Sequence, residues 1–299
     1  MEKVIALLEK RGPFTGKELV RETGLDIFSA WKFCAVSKLI TVRIIGRRYL
    51  RLDKKVEGYA RLSPSIMREF LNYTVIGINN QRPAVEEQAA KLEAEIAAIS
   101  RKKIDLAGGS IKRLLESHPD RNSIVNSACF LIAGDVVFNM AHAEPRPESS
   151  TGELVRGSDL DVIVVAEDLS EKQLKKLDAL LYKEKFNLLM NPASKEEMDY
   201  IVKSIKTVKE QLRFDSFRAM VASKILHEAL FLYGNPDLFD RIKQMVVESA
   251  VPEKILELKE RAWINREQAE KSLLDADDSA DREQLMALFY TTEEKEEIF

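Results

Sequence analysis

The sequence predicts an α/β fold of the α+β class: a basic, helix-rich head, a central mixed sheet with helices, and a C-terminal helical bundle. Three observations carry this expectation. Apolar residues recur at helical spacing in segments such as EKVIALLEK and KQLKKLDALL. Short unbroken apolar runs, NSACFLIA and LDVIVVA, have the length of buried strands. Gly, Pro and Asn breaks separate these segments. The 299 residues are enough for several domains, and the breaks suggest 1–78, 79–122, 123–212 and 213–299.

Charge is unevenly spread. The net charge is -3, yet residues 1–55 hold 13 Lys/Arg against 6 Asp/Glu. From Glu267 to Phe299 there are 11 acids and 3 bases. A basic head on an acidic body suggests modules with different partners. No apolar run approaches the roughly 20 residues that span a bilayer, so no membrane partner is expected. The opening MEKVIALLEKRG mixes charge into its apolar positions and reads as a helix, not a signal peptide. Cys34 and Cys129 share no ligand spacing and read as reduced, buried thiols of a cytoplasmic protein. Three histidines, His118, His142 and His227, are too few for a histidine-rich zinc site.

In the head, Val4, Ile5, Leu7 and Leu8 mark a helix over residues 2–11, which Gly12-Pro13 ends. Thr15-Gly-Lys-Glu18 is a capping box that opens a second helix through about Glu22. A third helix runs from about Asp26 to Leu39, followed by β-rich runs Ile40–Ile45 and Arg48–Leu52 joined at Gly46-Arg47. Three helices and a hairpin resemble the winged helix-turn-helix family over residues 1–55, antitoxin-type members included. The resemblance implies a third helix entering a nucleic-acid groove and a hairpin tip on phosphate. Lys32, Lys38, Arg43, Arg47, Arg48 and Arg51 would make those contacts. A protein-docking role suits the same pattern.

Residues 64–78 continue with a helix and an apolar stretch, ended by the polar break 79–83. Ala84–Ala107 reads as one helix, with Val85, Ala89, Leu92, Ile96 and Ile99 near one stripe. That stripe suits a spacer helix or a homodimer seam. Gly108-Gly109-Ser110 is expected to stop it, and a shorter helix begins at Ile111.

The chemistry lies further on. NSACFLIA ends at Gly134-Asp135, VVFNMAHA reads as helical, and Glu144–Arg156 is a Pro- and Ser-rich loop. The strand of RGSDLDVIVV then begins. Side chains alternate along a strand, so Asp159 and Asp161 point the same way. Two carboxylates so close, without a counter-cation, raise one pKa or destabilise the fold. A divalent metal resolves the conflict, and hard oxygen donors suit magnesium. After the helix Lys172–Leu189 and the break Asn191-Pro192, Asp199 opens the β-type run Tyr200-Ile-Val as Asp159 opens its own.

Strand, Gly134-Asp135, helix, then Ser158-Asp159-Leu160-Asp161 resembles the nucleotidyltransferase superfamily, the polymerase-beta-like fold, over roughly residues 125–235. Two departures stand out: Asp135 replaces the usual serine, and the Pro-rich loop lengthens the spacing. The resemblance implies Mg2+ (or Mn2+) held by Asp159, Asp161 and Asp199. A nucleoside triphosphate would lie against Gly134, Asp135, Gly157 and Ser158. Nucleotidyl transfer to an acceptor such as RNA or tRNA would follow. Asp135 equally suits the cap of the following helix, and both glycines suit turns. The competing expectation is a DNA-binding regulator with an inactive or ligand-sensing body.

Phe214–Tyr233 reads as one helix closed by Gly234, with another starting at Pro236. Lys224 and Arg218 are expected to face solvent and His227 to sit in the core. Two last helices, about Glu253–Leu274 and Arg282–Glu297, flank an acidic turn at Asp275–Asp281, with Trp263 and Phe289 as core anchors.

Overall fold

The computed structural model describes residues 2–116, 118–148, 150–276 and 282–291. It is an α+β structure of two compact units, residues 1–95 with 258–299, and residues 96–257. The units meet inside two long helices, at 95/96 and 257/258.

The first unit opens with α1 (Glu2–Arg11), β1 (Phe14–Thr15), α2 (Gly16–Thr23) and α3 (Ile27–Val36). The capping box forms: Thr15 Oγ1 accepts from Glu18 N–H, and the Glu18 carboxylate accepts from Thr15 N–H at 2.8 Å. Asp26 caps α3, which ends at Val36, three residues before the expected Leu39. Then follow β2 (Ile40–Ile44), β3 (Tyr49–Leu52), β4 (Ala60–Ser63), α4 (Ile66–Asn72) and β5 (Thr74–Ile78).

The expected β2–β3 hairpin does not form. The central β5 pairs antiparallel with both β1 and β2, while β3 pairs with β4. The reason is burial: every residue of β5 is buried, so Val75, Ile76 and Ile78 take the middle of the sheet. Val4, Leu8, Leu19, Ala30, Cys34, Ile66 and Phe70 pack around it.

α5 (Arg82–Glu116) runs straight through Gly108-Gly109-Ser110. Two glycines cost about 1 kcal/mol each in a helix, but Ala107, Ser110, Ile111 and Leu115 behind them are fully buried. Tertiary burial outweighs propensity there. Val85, Ala89 and Ile96 of the expected dimer stripe are buried within the chain itself.

The second unit continues with α6 (Arg121–Ser127), β6 (Ala128–Ala133), β7 (Pro145–Pro147), β8 (Leu154–Arg156) and β9 (Leu160–Ala166). After these come α7 (Glu171–Met190), β10 (Met198–Ser204), α8 (Ile205–Gln211), α9 (Phe217–Glu228), β11 (Leu230–Gly234) and α10 (Pro236–Glu248). The sheet order is β10-β9-β6-β11. β9 and β10 are parallel, with α7 as their crossover, and β6 is antiparallel to both β9 and β11. Leu160, Val162, Val164 and Met198 bury one face of the sheet against Ile111, Leu115, Leu177 and Leu181. Of the expected 136–143 helix only a single turn, Asp135–Phe138, forms. Part of the expected Pro-rich loop is the β7–β8 pair.

The expected helix 214–233 divides into α9 and β11. Lys243 Nζ donates to the carbonyls of Leu226 and His227 at 2.8 and 2.7 Å, closing α9. The apolar run after Ala229 instead satisfies its backbone on the edge of β6. Lys224 is half-buried and pairs with Glu228, against the solvent-facing expectation, whereas Arg218 is exposed. His227 is half-buried, and burial lowers its pKa.

The chain returns to the first unit through α11 (Val251–Asp275) and ends its described part with α12 (Arg282–Phe289). The acidic turn at 277–281 and residues 292–299 lie outside the described residues. Phe289 is a core anchor, edge-on to Phe28. Trp263 is not: it is 37% exposed, with the Arg48 guanidinium over its ring at 5.3 Å. Both thiols are buried, and burial pushes each up to about 12. No described helix is long and apolar enough to cross a membrane.

Two buried charges yield predictions. Glu69 joins Arg48 (2.6 Å) to Arg266 (3.1 Å), and all three are largely buried. Removing one member leaves uncompensated buried charge, so Glu69→Gln should lose about 3–5 kcal/mol in urea unfolding. Lys203 is 7% exposed and donates to Gln211 Oε1 at 3.1 Å. Burial pushes its ammonium down from 10.5 to about 8. The unfolded chain thus holds this proton more tightly, and Lys203 contributes stability that is gained from pH 8 to 10.5. Lys203→Met should remove that contribution, so that the variant exceeds wild type by up to about 3 kcal/mol at pH 7 and the difference shrinks toward pH 10.5, read by thermal unfolding of both across pH.

Candidate metal and phosphate site

The parallel register of β9 and β10 sets Asp161 opposite Asp199 and Leu160 opposite Met198. One residue earlier, Leu160 N–H donates to Glu197 O at 2.9 Å, extending the pairing to the strand mouths. Side chains alternate, so Leu160 and Met198 enter the core while the acids turn to the other face. Asp159 and Asp161 on one strand thus face Glu197 and Asp199 on its neighbour. Carboxylate oxygens of Asp159, Glu197 and Asp199 all lie within 4.8 Å of one another.

The structure therefore groups two of the three expected ligands and adds a third. Asp161 is set toward β6 instead. Its Cα partner is Ala133, and a Cβ on Gly134 would overlap its carboxylate. Glu197 went unrecognised in the sequence, although Glu197-Met198-Asp199 repeats the acid-apolar-acid pattern of Asp159-Leu160-Asp161.

Two cations answer these charges. Arg146, on β7, places Nη2 against Asp159 and 2.9 Å from Glu197 Oε2. Its Nε donates to Gly157 O at 2.9 Å. Nothing in the Pro-rich run marks Arg146 as special; only the fold brings it here. Lys185, on α7, donates to Asp199 Oδ1 at 2.6 Å. Burial alone would lower the Lys185 pKa, but the hydrogen bond and charge of Asp199 prevail and raise it. Of the trio, Asp199 is the accessible member, with 55% of its side chain exposed.

The residues between β6 and β9 form a tight backbone cradle. Gly134 has φ 78° and ψ −160°, a region essentially reserved for glycine. Gly157 has φ 66°, and a Cβ there would overlap His142 O. Ser158 N–H donates to His142 O at 3.1 Å, and Ser158 Oγ accepts from His142 N–H. The Ser158 hydroxyl also donates to Asp135 Oδ2 at 3.3 Å. Asp135 therefore tethers the 3-10 turn to the mouth of β9. From α5, Lys103 reaches the same region: its Nζ donates to Arg156 O at 2.6 Å and pairs with the buried Glu196. Gly134, Asp135, Gly157 and Ser158, taken from the sequence as one set, do lie around the same two strand ends.

The basic residues of the head are used differently. Lys32 is half-buried and donates to Ala276 O at 2.6 Å, so it is not on an open helix face. Arg48 is held inside by Glu69 and Glu270. Lys38, Arg43 and Arg47 are exposed, Arg43 pairing with Glu86 at 3.1 Å, and Arg51 is half-buried.

No family model, no curated protein and no solved structure matches this chain.

Gly134 offers a direct test of the cradle. Gly134→Ala meets both a glycine-only backbone and the Asp161 carboxylate, so it should cost about 1–3 kcal/mol in denaturant unfolding.

Proposed function

We propose that the chain is a magnesium-dependent nucleotidyltransferase that moves a nucleoside monophosphate group from a triphosphate to an acceptor. The observation that carries this reading is the in-register pairing of β9 with β10, which gathers Asp159, Glu197 and Asp199 beside Asp161. The donor set fits the metal: all candidate ligands are carboxylate oxygens, the hard donors that Mg2+ and Mn2+ take. The strand–turn–strand–helix–strand order from β6 to β10 agrees with the resemblance to the polymerase-beta-like fold.

Asp159, Glu197 and Asp199 would hold the ion, with Asp161 at their side. When bound, it would offset polyphosphate charge and stabilise the charge that develops at phosphorus. The chain's own residues supply the rest. Gly134 leaves room for phosphate to approach the backbone. Asp199, the accessible carboxylate, would take the proton of an acceptor hydroxyl. Ser158 and Gly157 fix the start of β9, so that Asp159 keeps its position. RNA, tRNA included, is the acceptor class that the basic head favours.

The head supports a nucleic-acid partner through its topology. Helix, strand, helix, helix, strand, with β5 between β1 and β2, agrees with a winged helix whose wing is enlarged by β3, β4 and α4. Lys38, Arg43 and Arg47 are its outward cations. One observation favours the second reading, a DNA-binding regulator: Asp135 brings a further negative charge to the place where phosphates would lie.

Incubation with α-labelled nucleoside triphosphates, Mg2+ and total RNA decides between them. Label should pass to RNA and fall to the enzyme-free level in Asp159→Ala/Asp161→Ala and in Glu197→Gln. No transfer by the wild type, together with tight, salt-sensitive binding to duplex DNA, would overturn the enzyme in favour of the regulator.

A further inference from the structure

Arg146 stands in the position that the proposed function assigns to a cation. Its side chain is 9% exposed, and its Nη2 lies between Asp159 and Glu197. The facing atoms, Asp159 Oδ1 and Glu197 Oε2, are fully buried, yet neither accepts an aligned hydrogen bond. Their tie to the guanidinium is Coulombic and lacks the bidentate geometry that makes arginine–carboxylate pairs strong.

The strand that carries Arg146 is weakly held. Of the three residues of β7 only Arg146 has a backbone N–H, because Pro145 and Pro147 cannot donate. Both prolines are exposed. Its partner β8 is anchored separately: Val155 is 1% exposed, Arg156 N–H donates to Lys195 O at 2.8 Å, and Arg156 O accepts from Lys103. β8 therefore keeps anchors that do not depend on β7.

We propose that Arg146 is a resident counter-ion which a divalent cation must displace from Asp159 and Glu197, so that loading the site releases β7. The inference rests on the metal reading above and adds its regulation. In the absence of the ion the guanidinium holds the two carboxylates together. Loading sets it free beside the mouth of β9, where a polyanionic substrate would next arrive.

Mn2+ is the probe. Its dissociation constant, measured by titration calorimetry, should fall at least about tenfold in Arg146→Met, which removes the competitor, and stay near the wild-type value in Arg146→Lys. Hydrogen exchange supplies the arm that needs no variant. Mn2+ should speed exchange of the amides at 144, 146 and 148 in the wild-type chain and leave that at 156, which donates to Lys195 O, unchanged. In Arg146→Met these amides should exchange fast with or without the ion. Unchanged or weaker Mn2+ affinity in Arg146→Met, or wild-type exchange at 144–148 indifferent to bound Mn2+, would overturn displacement while leaving the metal site standing. Absence of Mn2+ binding to wild type and variant alike would remove the metal reading itself, and displacement with it.

Discussion

Like charges held a few ångströms apart in a partly dry place must be compensated, and the second unit is arranged around that constraint. Its four acids come as two pairs at the mouths of neighbouring parallel strands. In water such a group would spread apart. Here the ladder between β9 and β10 prevents this, because the opposite faces of the same residues are committed to the core through Leu160, Val162 and Met198. A one-residue slip would bury the carboxylates and expose the aliphatics. The hydrophobic register thus enforces an electrostatic arrangement unfavourable by itself, and Arg146 and Lys185 are recruited to offset it.

The surrounding backbone serves the same end. Gly134 lets β6 finish directly beside Asp161, and Gly157 lets the chain turn under His142 before Asp159. Ser158 joins Asp135 and His142 to the start of β9. Lys103 then couples the backbone before β9 to the glutamate before Glu197. A buried ion pair is a weak source of stability; in this position it fixes the spacing of two loops that each deliver a carboxylate. The first unit uses buried charge in a comparable way, with Glu69 shared between Arg48 and Arg266.

Local signals and tertiary demand disagree at instructive places. The Gly-Gly-Ser break does not end α5, because Ile111 and Leu115 are needed in the core beyond it. The apolar run 230–234 has helical spacing but becomes a strand, since β6 offers an open edge and Lys243 closes the helix before it. In the head, β2 ignores its neighbour in sequence and joins β5, the most buried strand available.

The sequence by itself determined the mixed fold class, the capping box at Thr15, the strand of RGSDLDVIVV and the placing of Asp159 and Asp199 at the openings of two β runs. These rest on periodicity and on residue chemistry within a few positions, which a linear string records. Only the tertiary structure decided that Glu197 joins them, that Asp161 turns toward Gly134, that Arg146 and Lys185 are the neutralising cations, and that Lys32 and Arg48 face inward. The arrangement of the acids depends on which strand lies beside which, and that of Lys32 and Arg48 on which helix returns beside them; both are settled by burial summed over the whole unit, a quantity no short stretch of sequence contains.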